Sequence, residues 1–359
     1  MRFLAIDAFG SMLLILAFAA LRRRSRRQGL FYAAIGLALL PLVAVKVYPL
    51  LAGHDWLWRS GIFRAPPSNT GHLLPATGLF DAFGFLGVSY MTFRVIDAII
   101  TLHDGVINEP PTARGVAAFL LFFPTISAGP IDRYRRFSEE SKRLPRTRTA
   151  YLVDIEAGIQ RIAQGFLYKF IVASLIYQHA LQPASTIPGW GGEIRYMYAY
   201  SFYLFFDFAG YSAFAIGVGR FLGITVPENF DKPFLSRDFR EMWNRWHMSL
   251  SYWLRDHVYM RFLLLATRRK WFRGNRNTAN QVSLMLTFGL MGCWHGLAWH
   301  YIVYGLYQGG MMVVYDLVGR WNRRRKLLKL GWRTDIIGWG LTFNLFCFGL
   351  LIFSGHVFQ

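Results

Sequence analysis

The apolar residues of this chain fall in long unbroken blocks rather than periodic stripes, the pattern of helices that face lipid. A helix that crosses a bilayer needs about 20 consecutive apolar residues. Blocks on that scale occupy residues 3–21, 30–51, 79–102, 158–181, 196–224, 279–297, 298–317 and 336–353, with a shorter run at 116–129. A chain of 359 residues has room for roughly ten such helices. The expectation is therefore an all-α, polytopic integral membrane protein, a single membrane-embedded domain over residues 1–359. Composition agrees. Charged residues make up 17%, against about 25% in globular chains, and mean hydropathy is +0.27. No repeat, soluble domain or low-complexity linker interrupts the pattern.

A net charge of +20 first suggests nucleic-acid binding. The placement of the charges argues against it, and no nucleic-acid partner is expected. The clusters at 22–27, 133–148, 268–276 and 323–333 sit between apolar blocks, as the positive-inside rule requires of cytosolic loops. A basic cytosolic face would also attract an acidic soluble partner. The first basic cluster follows the first apolar run instead of preceding it, so the N-terminus does not read as a cleavable signal. Cys293 and Cys347 lie inside apolar blocks and imply no disulfide framework.

Loop parity adds a constraint. With all four basic clusters in the cytosol, the polar loop 52–76 lies outside. Two full crossings between that loop and residues 133–148 would put those arginines on the wrong side. One of the two intervening runs therefore does not cross. The run at 116–129 is short and ends in Pro-Thr-Ile-Ser-Ala-Gly-Pro, a poor helix, and reads as re-entrant. Non-helical backbone at membrane depth is tolerated where it is buried in protein or lines a watery cavity. The segment 231–266 is also unusual: rich in aromatics, it carries Lys232, Arg237, Asp238, Arg240, Glu241, Arg245, Arg255, Asp256 and Arg261. Helical spacing of Trp243, Trp246, Leu250, Trp253 and Leu254 predicts one amphipathic helix over 243–260, lying at the cytosolic interface or dipping into a cavity.

Two histidines have settings that bear on chemistry. His247 lies in the charged aromatic segment, and His295 near the far end of an apolar block. Burial disfavours an imidazolium, so a histidine at membrane depth stays neutral and available as a base. The residues alone leave a hydrogen-bonded structural role open for both. No metal is expected: His295 and His300 point about 140° apart on a helix, and HExxH and CxxC are absent. The Walker A loop, GxGxxG and the GxSxG elbow are missing too. Arg94 and Asp97 can pair along a helix face. Asp207, mid-block, needs a partner such as Arg or Tyr, and Lys169 and Asp7 are placed to snorkel.

Several motifs resemble the membrane-bound O-acyltransferase family. They are FGFLGVSYMTFRVIDAIITLHDG at 83–105, LFFPTISAGPIDRYRRF at 121–137, PENFDKPF at 227–234, WNRWHMSLSYWLRDHVYMRF at 243–262 and the WHG beginning at Trp294. PTISAGPIDRYRRF favours the D-alanyl branch of the family over the alginate O-acetylation branch. The resemblance implies a fold of about nine to eleven transmembrane or re-entrant helices around a central tunnel. It implies His295 and His247 as the catalytic residues, His295 as the family's reactive histidine and His247 as the second family histidine, lining the path from the cytosolic side. No cofactor is implied. The donor is a D-alanyl thioester on the phosphopantetheine of an acidic carrier protein at the cytosolic face. The acceptor is a hydroxyl of a cell-envelope polymer or lipid such as teichoic acid, and a partner membrane protein can complete the transfer. Asn244, Arg245, Trp294 and Trp299 are candidates, by position only, for lining the substrate tunnel and steadying an oxyanion. The expected location is the plasma (inner) membrane. An O-acetyltransferase for an exported polysaccharide, a transporter and a scaffold that has lost activity remain the alternatives.

Overall fold

A computed structural model describes residues 2–25, 27–51, 79–107, 109–144, 146–326 and 331–358. The polar loop expected at 52–76 lies outside the described residues. The described elements are helical, and they form two compact units: residues 1–154 with 219–225, and residues 155–218 with 226–359.

The first unit is built on α1 (Arg2–Arg24), α2 (Gln28–Leu51) and α3 (Leu79–His103). Every residue of α3 from Gly87 to Ile100 is buried, the polar Ser89, Thr92, Arg94 and Asp97 among them. Helix α1 presents Ile6, Phe9 and Leu13 outward, and α2 presents Leu37, Leu40 and Val43. Those exposed apolar faces suit lipid rather than water. Arg22, from the first basic cluster, donates to the Leu102 carbonyl at 3.3 Å and also reaches the His103 carbonyl. It thereby satisfies carbonyls that the end of α3 leaves without helical partners.

The run read as non-crossing is α4 (Ala113–Leu120) followed by a 3₁₀ turn, Phe123–Thr125. Eight residues span about 12 Å, too short to cross a bilayer. Buried Arg94 holds this irregular backbone. It donates to the carbonyls of Phe119 and Leu120, each at 2.9 Å, and to the Thr125 hydroxyl. Asp97 has a different task from the Arg94 pairing read in the sequence. It accepts from Arg133 at 2.9 Å and from the backbone N–H of Tyr134 at 2.8 Å, where α5 (Tyr134–Lys142) begins. Arg136 grips Asp132 one turn back and reaches the Thr225 carbonyl. Arg146 joins Glu140, Asp154 and the Gly223 carbonyl.

The second unit receives most of a helical run from Arg148 to Ala184, in which α6 (Arg148–Phe166) passes into two π-helical turns, Leu167–Val172 and Tyr177–Leu181. It packs against α7 (Trp190–Phe221). Here Lys169 pairs with Asp207, so lysine supplies the partner expected from Arg or Tyr, and Lys169 spends its charge on that pair. Helices α8 (Phe239–Arg245), α9 (Met248–Leu254) and α10 (Met260–Arg268) follow, then α11 (Arg276–His295), α12 (Trp299–Arg325) and α13 (Trp332–Ser354). Among the described residues, four stretches are long and apolar enough to cross a membrane: Ala5–Arg24, Gln28–Val47, Trp190–Phe221 and Trp332–Ser354.

Candidate active site

The expected single helix over 243–260 is broken at His247. Trp246 is extended (φ −104°, ψ 127°), and His247 adopts the left-handed conformation (φ 42°, ψ 52°). That conformation costs an L-residue roughly 1–2 kcal/mol, so the surroundings must impose it. The PENFDKPF loop does so. The Asp231 N–H donates to the Arg245 carbonyl at 3.0 Å, and the Met248 N–H donates to the Asn229 carbonyl at 2.9 Å. Two backbone groups freed by the break are thus repaired from the loop. The buried Asn229 side chain adds to the clamp, accepting from Ser249 at 2.6 Å and donating to Ser212 at 3.0 Å.

His247 is 5% exposed and lies edge-on to Phe208, with centroids 4.7 Å apart. Its Nδ1 has no hydrogen-bond partner among the described residues. It falls outside the four stretches able to span a membrane. Burial pushes its pKa down to about 3, because the apolar surroundings penalise the imidazolium.

His295 ends α11 and is half-buried. Trp294 lies 4.6 Å from it and Phe353 4.9 Å, with Tyr304 and Tyr301 at 6.1 and 6.2 Å between ring centroids. The hairpin from α11 to α12 is close-packed at Gly292 and Gly305. A Cβ on Gly292 would strike the Tyr301 carbonyl, and one on Gly305 the Phe288 carbonyl. Small residues let helix backbones approach in this way, which brings Tyr301 and Tyr304 of α12 to the His295 ring.

A cavity of about 420 Å³ runs beside α11. Asn280, Leu284, Thr287, Phe288 and Met291 line it from one face of that helix. At 1.5 Å per residue this wall is roughly 16 Å long, and Met291 lies one turn before His295. Where Asn280 lines the wall, the lining includes Arg240, Arg255, Tyr259 and Asp316. The Tyr259 hydroxyl donates to Asn280 Oδ1 at 2.5 Å, and Asn280 Nδ2 donates to Asp316 at 3.0 Å. Asp316 in turn pairs with Arg320. Trp243, also in the lining, is fixed by its indole N–H donating to Gln308 at 3.3 Å.

Of the residues singled out from sequence, Asn244 lines the cavity. Arg245 pairs with Glu241 at 2.8 Å. Trp294 touches His295, whereas Trp299 is 75% exposed at the start of α12. Tyr259, Asn280 and Asp316 were missed. They come from three helices, and no local spacing signals that they meet.

The arrangement is an imidazole at a helix end, ringed by aromatics, one turn beyond the last α11 residue that lines the cavity. The chain belongs to the membrane-bound O-acyltransferase family, whose model matches residues 107–357. Among its relatives, it is 41% identical over 358 residues to the teichoic acid D-alanyltransferase of Bacillus subtilis (strain 168), covering 99% of this chain and 85% of the relative. It is 40% identical to the teichoic acid D-alanyltransferase of Streptococcus thermophilus, over 94% of this chain and 78% of that protein. The probable alginate O-acetylase AlgI of Pseudomonas syringae pv. tomato is 34% identical over 76% of this chain and 49% of its own length.

Proposed function

We propose that this O-acyltransferase moves a D-alanyl group from a carrier-protein thioester to a hydroxyl of teichoic acid or a similar envelope polymer. The observation that carries the reading is near-full-length similarity to D-alanyltransferases, joined to a cavity whose wall stops one turn short of His295. The phosphopantetheine arm enters at Arg240 and Arg255 and lies along α11, and the acceptor hydroxyl meets it at His295. The neutral imidazole takes the hydroxyl proton as the oxygen bonds to the thioester carbonyl carbon. The tetrahedral oxyanion then collapses, the C–S bond breaks, and the imidazolium returns its proton to the departing sulfur. The products are an ester and a free thiol, and His295 is neutral again. The surrounding aromatic rings confine the imidazole and exclude water from it. His247 holds the α8–α9 break that positions Trp243 and Asn244 on the cavity.

The protein works as a multi-pass protein of the plasma membrane, with α11 and α12 embedded in it as well as the four apolar spans. Re-entrant pieces complete about nine to eleven helical passages around a tunnel. Its soluble partner is an acidic carrier protein at the cytosolic face. An extracytoplasmic-facing membrane protein assists delivery to the acceptor, and no cofactor stays bound.

Proteoliposomes given carrier protein loaded with radiolabelled D-alanine test this directly. The wild type should release thiol and label an acceptor bearing glycerol phosphate. His295→Ala should lower transfer by about 10²–10⁴-fold with an unchanged melting temperature. Full activity in that variant removes His295 from the chemistry. Efficient transfer from acetyl-loaded carrier with none from D-alanyl carrier moves the protein to polysaccharide O-acetylation.

A further inference from the structure

The structure holds a second basic cavity that the acyl-transfer reading does not use. It encloses about 510 Å³ between the start of α11 and the end of α12, lined by Asn277, Gln281, Leu317, Arg320, Trp321, Arg324 and Arg325 among others. The first amides of α11 are already satisfied, since Asn275 accepts from Asn277 and Thr278. The charge of the site therefore comes from arginines. Arg320 is held by Asp316. Arg324 and Arg325 have no acidic partner among the described residues.

The apolar half of the site identifies its occupant. Val314, Leu317, Val318 and Trp321 are each nearly half exposed. Their spacing, i, i+3, i+4, i+7, places them on one face of α12. That face runs along the helix and up to the arginines. A soluble phosphate would use the arginines and leave the apolar stripe bare. A ligand with an anionic head and long apolar chains covers both, and a tryptophan beside the head sits where such rings favour the membrane interface. We infer that this groove binds one anionic phospholipid, its phosphate held by Arg324 and Arg325 and its acyl chains lying along Val314–Trp321.

The site is tested on the purified full-length protein in detergent, by native mass spectrometry after incubation with an equimolar mixture of phosphatidylglycerol and phosphatidylcholine. The wild type should retain one phosphatidylglycerol in strong preference to phosphatidylcholine. Arg324→Gln/Arg325→Gln should cut that preference roughly ten- to thirty-fold, on the scale of two interfacial arginines. Arg320 is left intact because it supports the cavity wall through Asp316. Arg268→Gln/Arg269→Gln removes the same charge from exposed positions elsewhere and should leave the preference unchanged. Three results overturn the inference: equal retention of the two lipids, an equal loss in both double variants, or displacement of the bound lipid by millimolar glycerol phosphate. None depends on acyl transfer, so the lipid site and the enzymatic reading fail separately.

Discussion

The buried charges of the first unit and the charges around the second unit's cavity differ in what is left for them to do. Around α3, Arg94 meets two carbonyls and a hydroxyl, Asp97 meets Arg133 and an amide, and Arg136 meets Asp132. Each closes on another part of the same unit. Around the cavity, Arg240 lies over the Tyr315 ring, Arg255 pairs with Asp256 at 2.9 Å and Asp316 meets Asn280 and Arg320, yet all three also line open space. An ionisable residue in an apolar chain is a candidate for function by default. The contrast shows that the better test is whether the charge lines a cavity. Enclosed by protein groups, a charge fastens irregular backbone. Lining a cavity, it faces a ligand as well as its protein partner.

The largest expected effect comes from removing a charge of the closed kind. Arg94→Leu leaves the Phe119 and Leu120 carbonyls and Asp132 without their buried cation, a loss of about 3–5 kcal/mol. It should abolish the monodisperse peak in detergent gel filtration. A folded, active Arg94→Leu protein would erase the distinction between the two regions. Next, Leu284→Trp fills the cavity from a half-buried position on α11. Transfer from loaded carrier protein should fall about 10–100-fold with little change in melting temperature, and unchanged transfer would mean that the arm takes another route. Smaller still, Arg255→Gln should raise KM for the carrier roughly three- to tenfold at low salt. The gap from wild type should close at high salt as screening removes the attraction.

The smallest effect concerns the break itself. The pKa of His247 is lowered by burial from an ordinary 6.5 to about 3. Between those values the unfolded chain binds a proton that the folded protein excludes, so stability falls as pH drops through that window. A thermal-shift series should show the melting temperature declining by a few degrees from pH 7 to pH 5. His247→Asn keeps a residue that tolerates the left-handed conformation, and it should flatten the decline. An unchanged slope would locate the proton uptake elsewhere.

Much of this protein was readable because membrane helices are written in one dimension. Block length marks α1, α2, α7 and α13, and the short block at 116–129 could not supply a full crossing. His295 stood out as an imidazole in an apolar block, and His247 as one within a charged, aromatic segment. The break at His247 did not stand out, since neither glycine nor proline marks it. Only Asn229 and Asp231, brought in by a separate loop, make a non-helical backbone affordable there.

Hydropathy and charge order along the chain thus pointed to a helical membrane protein and to the polar residues that merit attention, and of the eight long blocks four proved long and apolar enough to span among the described residues. Tertiary structure decided which of those residues are consumed in holding the fold and which face a cavity. It also chose Lys169 for Asp207 and assembled Tyr259, Asn280 and Asp316 into one wall. The reason is physical. Transfer into an apolar phase is a property of each segment by itself, whereas the satisfaction of a buried polar group depends on what distant segments carry to it.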